Sequence, residues 1–164
     1  MNRLYSLVLA IILLVGGVSV ATAQNFNKGL EAYNAGDYQT ALQEWRPLAE
    51  QGHAGVQHNL ALMYTSGEGV PQDYAEAVKW WRRAAEQGHA SAQGSLGVMY
   101  EFGRGTLKDN VMAHMWFNIA SANGHSVSGK WRDETAGLMT QADISKAQEM
   151  ARECMSSNYK NCGE

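Results

Sequence analysis

The sequence predicts an all-α protein built from repeated antiparallel helix pairs that stack into a solenoid. Three observations carry that expectation. The chain matches itself at a shift of 36 residues, and its large apolar residues return at three- and four-residue steps. Its 17 Gly accompany only two Pro, and a helix-rich chain tolerates so much Gly only where each one closes a turn. Composition agrees: 164 residues with 45% hydrophobic and 18% charged side chains describe one folded unit and not a disordered chain. Thirteen Lys plus Arg stand against 16 Asp plus Glu, a net charge of −3 with no run of one sign, so nucleic acid is not an expected partner.

Residues 1–23 read as an export signal. Arg3 gives a positive start, Leu4 to Val20 is a nearly unbroken apolar run, and Ala21-Thr22-Ala23 supplies the small-x-small cleavage pattern. The alternative is an uncleaved anchor, because the run sits at the lower limit for spanning a bilayer. Cleavage leaves residues 24–164, with 12 basic and 16 acidic side chains and no Cys at the new N-terminus to carry a lipid. The expected product is periplasmic or secreted, with no stable membrane insertion. Cys154 and Cys162 then mature where thiols oxidise, and one intramolecular disulfide is the obvious pairing. A redox or metal pair is the alternative, but the C-x-x-C spacing and a nearby His are missing.

The repeat occupies residues 24–126 in three copies, about 26–54, 55–90 and 91–126, and a divergent helical cap follows over 127–164. Leu60-Ala61-Leu62-Met63-Tyr64 falls on Leu96-Gly97-Val98-Met99-Tyr100, and Gly67, Gly69, Asp73, Ala77, Trp80, Ala84, Gly88 and His89 fall on Gly103, Gly105, Asp109, Ala113, Trp116, Ala120, Gly124 and His125. The same shift carries Asp37-Tyr38, Ala41 and Trp45 onto Asp73-Tyr74, Ala77 and Trp81. In the second copy the spacing predicts helix A from about Val56 to Thr65, a turn through Gly67 and Gly69, and helix B from about Asp73 to Gln87. Asp73 and Asp109 sit where a carboxylate caps a helix start, at equivalent turns and not together in one catalytic site. Trp45, Trp81 and Phe117 lie on a stripe with small Ala neighbours, which reads as core packing ahead of a ligand-stacking shelf, while Trp80 and Trp116 lie one step round the helix. Pro47 inside the first helix B removes a backbone donor and is expected to bend the helix.

At these residues the chain resembles a known family. Gly29 to Trp45 is similar to a tetratricopeptide repeat, and the next two copies resemble the Sel1-like repeat, a relative with a longer Gly-containing loop. The loop explains the register, since Gly29 aligns with Ala61 at a shift of 32 whereas Asp37 aligns with Asp73 at 36. Departures fall at Thr106, Leu107 and Asn123, and at Glu44 where later copies have Trp80 and Trp116. The resemblance implies a right-handed superhelix whose A helices form a concave surface that holds another protein. Stacked repeats need polar ends. Val127 to Leu138 has lost most of the motif, and Thr140-Gln-Ala-Asp143 resembles a capping box opening a last helix with Ile144, Ala147, Met150, Ala151 and Cys154 on one side.

Carried over by register, the groove-facing residues are Phe26, Leu30, Tyr33 and Asn34, then His58, Leu62 and Thr65, then Gly94, Val98, Glu101 and Phe102. The row has no Arg or Lys, which suits a peptide segment better than a phosphate or sugar acid. The alternative is that several of these residues pack against neighbouring helices. Met112 and Met115 replace Glu76 and Lys79 of the second copy, so an outward polar face has turned apolar. Three readings stand: cover by the C-terminal helices, an adaptable partner contact, or copper(I) held with His114. His53, His89 and His125 each follow a helix-ending Gly, and no metal or nucleophile motif is assembled; Ser157-Asn-Tyr-Lys160 fits S-x-x-K without its companion motifs. The expected function is therefore an exported, non-enzymatic adaptor, scaffold or regulator without cofactor or metal, binding an envelope protein or extended peptide. Some exported relatives resemble inhibitors of membrane sensors. The rival reading is a wall-fragment or beta-lactam-binding protein, but such relatives carry a Cys pair in each repeat and this chain does not.

Overall fold

The computed structural model describes residue 23, residues 25–160 and residue 162; the rest of the expected export signal lies outside the described residues. The described residues are helical throughout, without strands. Contacts divide the chain into two compact units, one through Leu48 and one from Ala49.

The first unit holds α1 (residues 25–34) and most of α2 (Tyr38–Glu50). Its centre is Trp45, only 1% exposed, as the periodicity predicts. Tyr33 and Phe26 flank that indole with ring centroids at 5.5 and 6.5 Å, and its Nε1 donates to the Phe26 carbonyl at 3.2 Å. Gly29 faces the same ring, and any Cβ there would overlap it. Pro47 lies on the exposed side of α2, and the helix continues past it to Glu50.

In the second unit α3 (Ala54–Ser66) packs on α4 (Tyr74–Ala85), α4 on α5 (Ala90–Phe102), and α5 on α6 (Asn110–Ala122). Both helix B starts are capped as expected. Asp73 accepts from the Glu76 amide at 2.9 Å, and Asp109 accepts from the Val111 and Met112 amides at 2.8 and 3.0 Å. The loops repeat too, since Asp73 N–H donates to the Tyr64 carbonyl and Asp109 N–H to the Tyr100 carbonyl, each at 2.9 Å. Gly105 combines a φ of +69° with an approach to the Tyr74 backbone that leaves no room for a Cβ, so both demands require glycine. Trp81 and Phe117 are core residues, and Trp80 and Trp116 are buried beside them, at 6% and 0% exposure.

A second repeated feature is polar. Gln57 Nε2 donates to the Ala49 carbonyl at 2.9 Å, and Gln93 Nε2 donates to the Ala85 carbonyl at 3.0 Å. The Oε1 of Gln57 accepts from Gln87 at 2.8 Å, and that of Gln93 accepts from Asn123 at 2.8 Å. These buried amides tie the end of one helix B to the next helix A with their hydrogen bonds made, which is the condition for burying them without a large cost. Asn123, a departure from the sequence pattern, also accepts from the Tyr159 hydroxyl at 2.9 Å.

Tyr159 arrives from the C-terminus. Beyond α6 come α7 (Ser128–Ala136) and α8 (Gln141–Ser156), with Thr140 accepting from the Asp143 amide at 3.2 Å as the capping pattern predicts. Both helices pack on α6. Ala147, Ala151 and Cys154 form the buried side of α8. Cys154 and Cys162 are joined by a disulfide, and the loop it closes carries Tyr159 to Asn123.

Candidate partner-binding cavity

The α3, α5 and α7 helices frame a cavity of about 300 Å³ in the second unit. Its lining is His58 and Leu62 from α3, Trp81 from α4, Ser91, Ser95, Val98 and Met99 from α5, His125, and Trp131 from α7. Trp131 lies 5.6 Å from the Phe117 ring and 5.7 Å from His125, centroid to centroid. A wider, open cleft of about 470 Å³ lies by Lys108, Asp109, Leu138 and Asp143. Its two acids are already engaged, Asp109 in capping α6 and Asp143 in accepting the Thr140 hydroxyl at 2.8 Å.

His58 sets the electrostatics of the smaller cavity. Trp81 Nε1 donates to His58 Nδ1 at 3.0 Å, and the His89 ring stacks on His58 with centroids 5.0 Å apart. Burial, then the neighbouring His89 and His125, push the His58 pKa down to about 4. Burial also lowers His89, whose Nδ1 accepts from the Ala92 amide at 3.3 Å and so caps α5. The His125 Nδ1 lies 2.7 Å from the Ser128 hydroxyl.

Three of the residues assigned to the groove from the sequence, His58, Leu62 and Val98, line this cavity together. Others do different work. Thr65 donates its hydroxyl to the Leu62 carbonyl at 2.7 Å, and Glu101 accepts from Thr135 of α7 at 3.2 Å. Phe102 is 61% exposed, with the Arg104 guanidinium 5.6 Å from its ring. Gly94 is buried. In the first unit Leu30 and Asn34 are exposed, while the Tyr33 ring packs between Tyr38 and Trp45 at 5.4 and 5.5 Å.

Met112 and Met115 do not form the secondary partner surface that one reading gave them; cover by the C-terminal helices is the reading that the fold matches. They are 7% and 0% exposed, because α7 and α8 pack on α6 and cover the face that the sequence comparison showed turning apolar. His114 is also buried, at 2% exposure. Among the described residues no group of three or more His, Cys, Asp or Glu could hold a metal ion. The Ser157 hydroxyl lies 2.9 and 2.6 Å from the carbonyls of Cys154 and Lys160, so its proton is shared with backbone acceptors.

Sequence reasoning missed Ser91, Ser95, Met99, His125 and Trp131 as lining residues, and favoured core over a ligand-stacking shelf for Trp81, which is buried and also lines the cavity. His125 was legible only as the residue after a helix-ending Gly. Trp131 lies where the repeat motif fades, although the 36-residue shift does place it over Ser95.

Helix pairs repeating every 36 residues, joined by two-Gly loops and presenting a cavity on their A helices, define a protein-interaction repeat. The Sel1 repeat model matches residues 54–89 and 90–125. The chain thus carries two Sel1 repeats, and the all-α solenoid class expected from its sequence is the observed one. Its fold is similar to that of c5321, a protective antigen of uropathogenic Escherichia coli strains with an SLR fold, at a TM-score of 0.78 and 28% identity over 84% of this chain and 31% of that one. A Sel1 repeat protein from Oxalobacter formigenes matches at a TM-score of 0.61 and 33% identity, over 63% of this chain and 43% of that one. An exopolysaccharide production negative regulator of Rhizobium leguminosarum bv. viciae is 42% identical over 60 residues, which is 35% of this chain and 22% of that protein. The chain thus spans less than half the length of each of these relatives.

Proposed function

We propose that this protein is an exported, non-enzymatic binding module, an adaptor, scaffold or regulator, that holds an extended segment of an envelope protein on the helix A surface of its second unit. The observation that carries the reading is the cavity between α3, α5 and α7, with the exposed Leu62 on its wall. The interaction fold supports it, and the relative named as a negative regulator favours a regulatory version. Export is supported by the pattern of residues 1–23 and by the disulfide, which persists in oxidising compartments. No described helix is long and apolar enough to cross a membrane.

Site-specific photo-crosslinking in the native envelope tests this. A photoreactive residue at position 62 or 98 should capture one discrete envelope protein through a contiguous peptide, whereas the same group at the exposed Lys79 or Gln148 should not. Identical capture from all four positions, or none at 62 and 98, refutes the reading.

A further inference from the structure

We propose that the cavity between α3, α5 and α7 is a receptor for one uncharged ring or branched apolar side chain, the anchor of the bound segment. This rests on the interaction reading above and adds the chemistry of what enters. Nine residues line the cavity, and none is Asp, Glu, Lys or Arg. An indole nitrogen only donates, so the Trp81 bond at 3.0 Å fixes His58 Nδ1 as an acceptor and places the proton of the neutral ring on Nε2. Burial and the neighbouring imidazoles keep that ring neutral at physiological pH.

Two other polar groups take partners inside the protein. Ser95 donates to the Ser91 carbonyl at 2.9 Å, and His125 is joined to Ser128 at 2.7 Å. What remains for a ligand is Leu62, Val98, Met99, the two indoles and the Ser91 hydroxyl, a mostly apolar lining without Asp, Glu, Lys or Arg. A charged side chain entering here would shed its hydration and meet no opposite charge, whereas a neutral one would bury apolar area. A volume of about 300 Å³ lies at the small end of ligand cavities, matching one side chain and not a large cofactor. The third repeat makes the space. Gly94 occupies the position equivalent to His58, and a Cβ there would lie 2.8 Å from His125 Nδ1, so the glycine admits the imidazole that forms one wall.

The test uses side-chain analogues on the protein as purified from cells, followed by the Trp81 Nε1–H resonance. Indole and 4-methylphenol should shift it saturably, and n-butylammonium and propionate should bind at least about tenfold more weakly. Val98→Glu, at a half-buried lining position, should weaken the neutral rings and strengthen n-butylammonium, while Ser95→Trp, which fills the cavity, should abolish the neutral response. Equal binding of charged and neutral probes, or neutral probes that leave the resonance unmoved in a folded protein, overturns the proposal. The two readings fail separately. Saturable neutral binding without partner crosslinks removes the interaction reading and keeps the site; partner crosslinks unaffected by Ser95→Trp remove the site.

Discussion

Acid should destabilise this protein through His58 as the pH falls below 6.5. An exposed imidazole in the unfolded chain takes a proton near pH 6.5, whereas the folded His58 resists protonation down to about pH 4. Between those values the unfolded state binds the extra proton, so stability falls as the pH drops from 6.5 and levels off below 4. At about 1.4 kcal/mol per unit of difference, the loss reaches about 2 kcal/mol at pH 5 and about 3 kcal/mol at pH 4. These are ceilings, because water reaches part of the ring. Urea unfolding at pH 7, 6, 5 and 4, on the natural protein and on His58→Gln, isolates the contribution as the difference between the two pH dependences. The variant should keep a shallower slope, since burial also lowers the pKa of His89 and His114. Side-chain NMR should show His58 as the Nε2–H tautomer, with its titration midpoint near 4. A midpoint at 6 or above in the folded protein, or equal slopes in the two proteins, would refute the reasoning.

Gly97→Ala sets its new methyl against the buried Phe117 ring and should cost about 1–3 kcal/mol in urea unfolding, although alanine is the better helix former; a gain in stability would show that the ring moves aside freely. Cys162→Ser, or reduction of the natural protein, should lower stability by about 2–3 kcal/mol, because the bond restrains a loop of eight residues' separation. Tyr159→Phe should cost about 1 kcal/mol in the oxidised protein, and much less in Cys162→Ser if the disulfide is what delivers the hydroxyl to Asn123; equal costs in both backgrounds would show that the tail docks unaided. Asp109→Ala, which leaves two amides of α6 without their acceptor, should cost about 1 kcal/mol in thermal or urea unfolding, with Asp109→Asn recovering most of it.

What the sequence made legible was whatever local chemistry decides. Asp73 and Asp109 cap helices because a carboxylate three residues from free amides has few other things to do, and the two-Gly loops close the same turns twice. The Trp45, Trp81 and Phe117 stripe reads as core because each copy must bury one face against its neighbour. Long-range choices left no such local trace. The methionines of α6 showed that a polar face had turned apolar and offered cover by the C-terminal helices beside two other readings, and in the fold α7 and α8 both lie on α6. Gln57 and Gln93 look like solvated residues in a helical pattern, and only the ends of the preceding helices reveal them as buried ties. The cavity shows the same limit. Register arithmetic found His58, Leu62 and Val98, which share one face of the A helices, yet it did not single out His125, at the end of the third copy, or Trp131, which lies beyond it. The site thus joins repeat positions to one residue from beyond them: the A helices supply His58, Leu62 and Val98, Gly94 makes room for His125, and Trp131 closes the cavity from α7.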